Sequence, residues 1–518
     1  MTTTERSRSS IEQMGHALRN LSAPVHVLQT TTGIRVTDEG PGPGDTLVGS
    51  VGPLTPERLG APGFRRRHGV RYSYMAGAMA NAISSVELVA AMAMQGYLAS
   101  YGAGGVLPDG IDRAVADMER RVSGKPFAVN IIHSPSEPAL ERAVVDILLA
   151  RRVRCAEASA FMDLTPSIVR YRAAGLSRAA DGSVAAANRV IAKVSRAEVA
   201  EKFLAPPPSG LLVPLVEDGS ITKEQAELAA RTPVADDITV EADSGGHTDR
   251  RPLTALLPVL DRVRNAASKR CGRQIYLGAA GGIGTPRAMA AAFALGADYV
   301  VTGSVNQSCI ESGTSTAVRE LLANISITDC TMAPAADMFE LGVELQVARK
   351  GTLFPMRAAK LYSHYRNYDS LDQLSPTELD ELENKILRRP VADVWRDVEE
   401  YFTRRDPDQL TRARNDPHRR MALIFRWYLG MSTGWAQSGD PERRMDYQVW
   451  CGPAMGAFND WTRGTHLASP EYRKVADVAG HLGIGAAMAM RYDALVAGGV
   501  RLPGECAAYV PTLPEDAL

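Results

Sequence analysis

Residues 275–304 read IYLGAAGGIGTPRAMAAAFALGADYVVTGS, and this stretch decides the fold that the sequence predicts. A short apolar run enters closely spaced glycines, and Thr285-Pro286 then opens an alanine-rich segment of helical period. A second apolar run follows and ends at another glycine, Gly303. Strand, helix and parallel strand in this order form the repeating unit of an α/β fold.

The same alternation extends outward over about 230 residues and predicts eight strands. Eight strand–helix units favour a closed (β/α)8 TIM barrel over an open, doubly wound sheet. The long connection after strand five, at about residues 197–235, is expected to be an insertion at the C-terminal face of the barrel. The predicted strands are Tyr72–Ala78, Tyr97–Tyr101, Phe127–Ile132, Val153–Ala158, Val190–Val194, Ile238–Ala242, Ile275–Ala279 and Tyr299–Thr302.

Changes in composition divide the chain into three parts. Residues 1–50 are rich in Ser and Thr and then in Gly and Pro, which predicts a flexible N-terminal arm without helix or strand. Residues 51–360 hold the predicted barrel. Residues 361–518 contain all five tryptophans and mostly helical patterns, so we expect a separate C-terminal helical domain there.

The overall composition excludes several classes of protein. Lys and Arg (58) nearly balance Asp and Glu (59) among 518 residues, so no nucleic-acid partner is expected. No apolar run of about 18 residues occurs, and the N-terminus MTTTERSRSS lacks the apolar core of a signal peptide. None of the six cysteines forms a CxxC pair, so no metal site is predicted. The expectation is a cytoplasmic protein with no membrane partner.

The glycine turns after strands seven and eight are the strongest chemical signal. Gly281 and Gly282 precede one predicted helix, and Gly303 with Ser304 forms a similar turn about twenty residues later. Bare backbone N–H groups at a helix start bind phosphate, and the ends of strands seven and eight are a frequent phosphate site in this fold. The alternative is a pair of tight turns without a ligand.

A second group of residues follows strand six. Gly245 and Gly246 could let the backbone approach a flat cofactor, and His247 would then lie at the mouth of the barrel. An imidazole there could donate a proton near neutral pH. The alternative for His247 is a helix cap.

Two polar residues interrupt apolar strands. Lys193 lies inside strand five and Asn130 near the end of strand three. A lysine in a barrel strand has to reach the mouth of the barrel or pair with an anion. Each could instead be a core polar group with satisfied hydrogen bonds.

Eight fragments resemble the PfaD-type enoyl reductases of polyunsaturated fatty acid and polyketide biosynthesis. These enzymes belong with nitronate monooxygenases and FMN-dependent enoyl-acyl-carrier-protein reductases in one superfamily, and the similarity extends from about residue 48 to about residue 500. The fragments are Tyr74–Ala80, Asn130–Pro135, Glu241–Thr248, Gly278–Pro286, Val301–Gln307, Met332–Phe339, Gly351–Arg357 and Asp446–Asn459.

The resemblance implies FMN at the top of the barrel, NADPH as reductant, and an enoyl thioester on acyl carrier protein as substrate. It implies action in trans for a synthase that lacks its own enoyl reductase. A flavin oxygenase like nitronate monooxygenase, or a flavin-binding synthase component without turnover, remains an alternative. A homodimer is possible, and the role of Asp243 is left open because simpler relatives carry Gly or Glu there.

The resemblance also assigns residues. The FMN phosphate is expected on Gly281, Gly282, Gly303 and Ser304, the isoalloxazine against Ala76, Gly77 and Ala78, and its polar edge near Asn130 and Lys193. Gly245 and Gly246 complete the cofactor set, and His247 is the catalytic candidate. For the acidic carrier protein, the basic residues after strand eight are the expected docking surface, and the Arg65-Arg66-Arg67 run is expected at the opposite, N-terminal face. The four basic docking residues are Arg349, Lys350, Arg357 and Lys360.

Overall fold

The computed structural model describes residues 3–133 and 138–512. They form two compact units. The first comprises residues 3–133, 138–243, 250–313 and 460–512, and the second comprises residues 244–249 and 314–459. Residues 1–2 and 513–518 and the end of the Asn130–Pro135 motif lie outside the described residues.

The strands within the described residues are β1 (Val25–Thr30), β2 (Gly33–Thr37), β3 (Thr46–Val51), β4 (Tyr74–Ala76), β5 (Leu98–Tyr101), β6 (Ala128–Ile132), β7 (Cys155–Ser159), β8 (Leu176–Arg178), β9 (Val184–Ala186), β10 (Arg189–Val194), β11 (Asp237–Glu241), β12 (Gly246–His247), β13 (Tyr276–Ala280), β14 (Tyr299–Thr302), β15 (Cys330–Pro334) and β16 (Glu344–Ala348).

The α-helices are α1 (Thr3–Arg19), α2 (Pro62–His68), α3 (Val86–Met94), α4 (Pro108–Val122), α5 (Pro138–Ala150), α6 (Pro166–Ala174), α7 (Ala197–Phe203), α8 (Ser209–Glu217), α9 (Lys223–Ala229), α10 (Leu253–Cys271), α11 (Pro286–Ala294), α12 (Ser304–Gln307), α13 (Thr316–Ala323), α14 (Phe354–Asn367), α15 (Pro376–Glu381), α16 (Val391–Arg405), α17 (Pro407–Arg414), α18 (Pro417–Ser438), α19 (Pro453–Trp461) and α20 (Val475–Ala497). No helix in the described part of the chain is both long enough and apolar enough to cross a membrane.

The first unit contains a closed parallel barrel. Its strands follow the order β4, β5, β6, β7, β10, β11, β13 and β14, and β14 pairs with β4 to close the ring. All eight predicted strands are confirmed, with ends displaced by no more than about two residues. The strands consist mostly of apolar residues because helices cover the outside and side chains fill the inside. The predicted (β/α)8 TIM barrel is therefore the observed fold.

The N-terminal end of the barrel is closed by α2. Phe64 of this helix stacks on Tyr299 inside the barrel, with ring centroids 4.1 Å apart. Arg67 donates to Asp237 at the start of β11 over 2.5 Å, and His68 contacts the other oxygen of that carboxylate at 2.7 Å. The Arg65-Arg66-Arg67 run therefore lies at the N-terminal face, as predicted.

The insertion after strand five consists of three short helices, α7, α8 and α9, between β10 and β11. Thr222 caps α9 by accepting from the N–H of Gln225, and the Gln225 side chain accepts in return from the Thr222 N–H. This reciprocal capping box fixes the start of the last helix before the chain re-enters the barrel.

The N-terminal segment is ordered into α1 and a three-stranded antiparallel sheet with the order β2-β1-β3. The predicted arm without helix or strand is therefore wrong over the described residues. Val25, Val27 and Leu28 are fully buried, and this burial is sufficient to hold a short strand. The Gly/Pro-rich stretch that suggested flexibility forms only the loop between β2 and β3.

Two long-range contacts bind the ends of the first unit. The buried Arg491 of α20 donates to the carbonyl oxygens of Leu18, Asn20 and Ala23 over 2.7–3.1 Å. Helix α20 also packs closely on α11, where a Cβ on Gly485 would lie 2.6 Å from Pro286 Cγ. Residues 460–512 thus belong with the barrel, which corrects the predicted helical domain at 361–518.

The second unit combines a small antiparallel sheet, in the order β12-β16-β15, with helices α13 to α18 and most of α19. Only the two-residue β12 comes from the barrel region of the sequence, and it pairs with β16 about a hundred residues later. The unit begins again at residue 314, not 361, because β15, β16 and α13 pack within it.

Candidate active site

The inner face of the barrel changes from apolar to polar toward the C-terminal ends of the strands. An apolar layer includes Leu98, Ala128, Cys155 and Ile191. Successive side chains on a strand alternate between faces, so the residue two positions later points the same way. The residues two positions after these four apolar residues are polar, and Glu241 stands in the same relation to the buried Thr239 of β11. Together they form a polar inner layer on five adjacent strands: Ser100, Asn130, Glu157, Lys193 and Glu241.

Glu157 connects three strand ends within this layer. Its Oε2 accepts the N–H of Ala78 at 2.8 Å, just beyond β4. The Asn130 amide donates to the Glu157 carbonyl oxygen and to Ser159 Oγ, both at 3.0 Å. Glu157 and Asn130 are both buried, so these bonds fix the amide and the segment after β4 in one arrangement.

Lys193 is the cation of the layer. Its Nζ lies 3.0 Å from Glu241 Oε1, and both side chains keep a small exposed fraction. Burial alone would lower the pKa of Lys193, but the negative charges of Glu241 and Glu157 raise it on balance. The lysine is therefore a fixed positive charge at neutral pH. Such a charge suits binding of an anion or of an electron-rich ring.

The glycine turns leave open space at the ends of strands seven and eight. Apart from each glycine and its two chain neighbours, no heavy atom of the described residues lies within 4 Å of where a Cβ would stand on Gly282 or Gly303. Gly281 has another constraint, because its Cβ would lie 2.7 Å from the Asp243 carbonyl oxygen and its φ is +92°. Ser304 begins the short helix α12. The two turns thus offer backbone N–H groups beside a space that a phosphate could fill.

The segment Ala76–Ala78 lies at the end of β4, the first strand of the barrel, beside the Gly303-Ser304 turn. Gly77 donates its N–H to the Thr302 carbonyl oxygen at 3.0 Å. A Cβ on Gly77 would lie 2.8 Å from Val301 Cγ1, so this close approach needs glycine. The structure therefore brings together Ala76, Gly77, Ala78, Asn130, Lys193, Gly281, Gly282, Gly303 and Ser304 at the C-terminal ends of the barrel strands. Their roles toward a cofactor stay predictions.

The second unit holds the other three predicted residues, Gly245, Gly246 and His247. His247 pairs with Leu345 in the small sheet, and its Nε2 lies 3.1 Å from Asp337 Oδ1. Burial would raise the pKa of Asp337, but the hydrogen bond and charge of His247 lower it overall. The pair is partly exposed, with 42% of the His247 side chain accessible.

Gly245 has a structural reason to be glycine that the sequence did not reveal. A Cβ at this position would lie 2.8 Å from the backbone nitrogen of Cys451. Gly452 makes the reverse approach, since its Cβ would lie 2.9 Å from the Gly245 nitrogen. The two chain segments therefore cross with backbone against backbone, and this contact accounts for Gly245 without a cofactor. Gly246 has a φ of +83° and open space beside it.

Three functional candidates were missed from the sequence: Ser100, Glu157 and Asp337. A polar residue two positions after a buried core residue was the available signal for Ser100 and Glu157, because such a residue faces the barrel interior. Glu241 was named only as the first residue of the Glu241–Thr248 motif. Asp337 lies 90 residues from His247 in the chain, so no local pattern could pair them.

Two of the four basic residues predicted to dock a partner are engaged in close ion pairs within the second unit. Arg357 is largely buried and pairs with the buried Asp446, so it serves the second unit's interior. Lys360 pairs with Glu381. Arg349 and Lys350 are the more exposed residues of the four; Lys350 donates to the Asn324 carbonyl oxygen at 2.7 Å and forms a long ion pair with Asp329 at 3.8 Å. Only these two remain as candidates for contact with a partner.

The sequence of residues 66–361 matches the nitronate monooxygenase family. Residues 368–447, which lie in the second unit, match the inserted helical domain of [acyl-carrier-protein] S-malonyltransferase. The first match covers the barrel together with β15 and β16, and the second covers α15 to α18.

Similar proteins come from polyunsaturated fatty acid and polyketide biosynthesis. One of the polyunsaturated fatty acid synthase subunits of Thraustochytrium sp. is 47% identical over 94% of this chain, and polyketide biosynthesis protein ThaF of Burkholderia thailandensis is 44% identical over 82%. The chain spans only 33% and 37% of those proteins.

A solved structure matches over nearly its full length. The enoyl reductase domain of MlnA, from the macrolactin biosynthesis cluster of Bacillus amyloliquefaciens, is 36% identical with a TM-score of 0.81. The match covers 85% of this chain and 99% of that domain. The chain therefore belongs to the nitronate monooxygenase family, in the PfaD-type group that its motifs indicate.

Proposed function

We propose that this chain is an FMN-dependent enoyl reductase. It uses NADPH to reduce the α,β double bond of enoyl thioesters held on acyl carrier protein, in trans to a polyketide or polyunsaturated fatty acid synthase. The observation that carries the proposal is the near-complete match to the MlnA enoyl reductase domain, combined with a polar inner layer at the mouth of the barrel.

The residues at the barrel mouth fit a flavin mononucleotide. The space beside Gly282 and Gly303 suits one phosphate group. The buried Oε1 of Glu157 accepts no hydrogen bond from any described residue, so a ligand can supply one. Lys193 provides a fixed positive charge of the kind that supports a ring gaining electrons.

FMN, when bound, supplies hydride transfer between NADPH and the β-carbon of the enoyl group. The chain's own residues have to supply the rest. Hydride addition places negative charge on the α-carbon and thioester carbonyl, so a proton donor is required. We assign that proton to the imidazole of His247, whose protonated form Asp337 stabilises through Nε2.

The first experiment identifies the cofactor. Heat release from the purified protein, followed by chromatography, is expected to give FMN. The Gly282→Asp variant should bind no FMN, because the new carboxylate fills and repels the phosphate site, whereas Gly210→Asp on the exposed start of α8 should bind normally. Recovery of FAD, or failure of the wild type to take up FMN, would refute the cofactor assignment.

The second experiment measures turnover. In anaerobic single-turnover mixing, NADPH should bleach the flavin absorbance, and a carrier-bound enoyl thioester should restore it with formation of the saturated product. Restoration without product would contradict reduction of the double bond. No bleaching by NADPH or NADH would contradict the nicotinamide-driven reaction.

A nitronate oxygenase is the second candidate, because the matched family carries that name. It would oxidise nitronates with O2 and need no NADPH. Oxygen consumption with propyl-2-nitronate, measured beside enoyl thioester reduction under the same conditions, distinguishes the two. A protein that binds flavin but performs neither reaction would be a non-catalytic synthase component.

A further inference from the structure

One buried oxygen in the polar inner layer lacks a hydrogen bond. Glu157 is completely buried, and its Oε2 accepts from the Ala78 N–H. Its Oε1 has no hydrogen-bonding partner among the described residues. Buried polar atoms in folded proteins are almost always paired, because an unpaired one has lost its hydrogen bonds to water without compensation. A ligand that donates a hydrogen bond is the natural way to pair this oxygen.

The position of Glu157 Oε1 indicates where in the barrel such a ligand would bind. A Cβ on Gly77 would lie 3.6 Å from Glu157 Oε1, so the oxygen is directed at the chain segment that ends strand one. Asn130 and Lys193 face the same interior from the two neighbouring strands. An ionised carboxylate only accepts hydrogen bonds, so the missing group must be an N–H or O–H donor.

A second buried glutamate of the same unit shows that burial alone does not leave an oxygen unpaired. Glu141 on α5 is 4% exposed. One of its oxygens contacts His133 Nδ1 at 3.0 Å, and the other accepts from the Thr165 hydroxyl. Glu141 is therefore satisfied by protein groups, and Glu157 is not.

We infer that Glu157 Oε1 accepts the ring N–H of the bound flavin, the single N–H that an oxidised isoalloxazine carries. This inference rests on the proposed FMN cofactor. Glu157 would then hold the pyrimidine edge of the ring and fix the Ala78 amide with its other oxygen. Its negative charge beside the ring would oppose the gain of electrons, and so would make the bound flavin harder to reduce.

The test compares Glu157→Gln with Glu141→Gln. In Glu157→Gln the amide oxygen can still accept from Ala78 N–H, but an NH2 group then faces the ligand donor. Fluorescence titration should show FMN affinity about 10- to 100-fold weaker for Glu157→Gln, as expected for loss of a charge-assisted hydrogen bond. Glu141→Gln should bind within about twofold of wild type, and melting of the flavin-free proteins checks that both variants fold.

A flavin analogue isolates the N–H itself. The wild type should bind 3-methyl-FMN, which lacks that N–H, more weakly than FMN by a similar factor. Glu157→Ala has room for the methyl group and should bind the two flavins about equally. The midpoint potential of bound FMN should be more positive in Glu157→Gln than in Glu141→Gln.

Two results would overturn the inference while leaving the proposed function intact: normal FMN affinity and potential in Glu157→Gln, or the same preference for FMN over 3-methyl-FMN in Glu157→Ala and wild type. A wild type that binds no FMN would overturn the inference together with the cofactor assignment.

Discussion

His247 and Asp337 form a partly exposed pair, and the role proposed for His247 is to donate a proton to the α-carbon of the substrate. Replacing His247 with Ala should leave FMN binding and flavin reduction by NADPH unchanged, because the barrel residues perform both. Reduction of the enoyl thioester should fall about 10²–10⁴-fold, the usual contribution of a positioned proton donor. Stopped-flow absorbance separates the two half-reactions. An unchanged second half-reaction would show that another group protonates the α-carbon.

The Asp337 carboxylate should set the pH range of that step. Its lowered pKa keeps it ionised to lower pH, so the ion pair weakens only as the pH falls through that value. In Asp337→Asn the protonated ring loses its counter-charge, and the alkaline limb of the pH–rate profile should move to lower pH. Glu400→Gln, a carboxylate of the same unit paired with Arg404, serves as the control. An unmoved limb would argue against the pair.

Gly245 provides a purely structural test within residues 244–249, the short segment that also contains His247. Gly245→Ala forces a methyl group against the Cys451 backbone and should lower stability by about 1–3 kcal/mol. Gly430→Ala, on an exposed face inside α18 with open space, should instead raise stability by about 0.5–1 kcal/mol. Thermal unfolding followed by circular dichroism measures both. Equal effects would mean that the crossing with Cys451 can relax.

Among the elements, α20 has the clearest mechanical role, because Arg491 satisfies three carbonyl oxygens at the end of α1 and just after it. Arg491→Met should destabilise the protein by about 2–4 kcal/mol, since those buried acceptors lose charged donors. Hydrogen exchange should rise first in α1 and β1. Arg463→Met, at an 80% exposed side chain, should change stability by less than about 0.5 kcal/mol.

The barrel strands were predictable because their signal is local. Each is a short apolar run between glycine turns and amphipathic helices, and strand eight was placed to the residue. The strand β1 was missed although Val25, Val27 and Leu28 supply an apolar pattern, because the composition of the surrounding fifty residues outweighed it. The pairing of β12 with β16 could not be found, since it joins residues about a hundred positions apart.

The candidate site was half predictable for a related reason. Lys193 and Asn130 stood out as polar residues in apolar strands, and the structure places both on the inner face. Glu157 lies in the run Cys155–Ser159, where small polar and apolar residues hide the alternation. Register with the neighbouring strands shows that it faces inward, and register is a property of the folded sheet.

For the whole molecule, the exposed pair Arg349 and Lys350 is the expected contact for an acidic carrier protein. Reversing both to Glu should raise the apparent KM for carrier-bound substrate about three- to tenfold, and added salt should weaken wild-type binding in the same way. A pantetheine thioester should react unchanged. The matched control reverses Arg396 and Arg404, which are also exposed in the second unit. Equal losses in both double variants would place the docking surface elsewhere.

The packing of α20 on α11 also has a consequence for folding during synthesis on the ribosome. A ribosome adds about 5–20 residues per second, so roughly 10–40 s separate the emergence of these two helices. Residues 314–459 of the second unit are synthesised between these two helices, so the α11 face lacks its cover for that time. The nascent chain is therefore expected to expose the α11 face to chaperones until α20 has been synthesised.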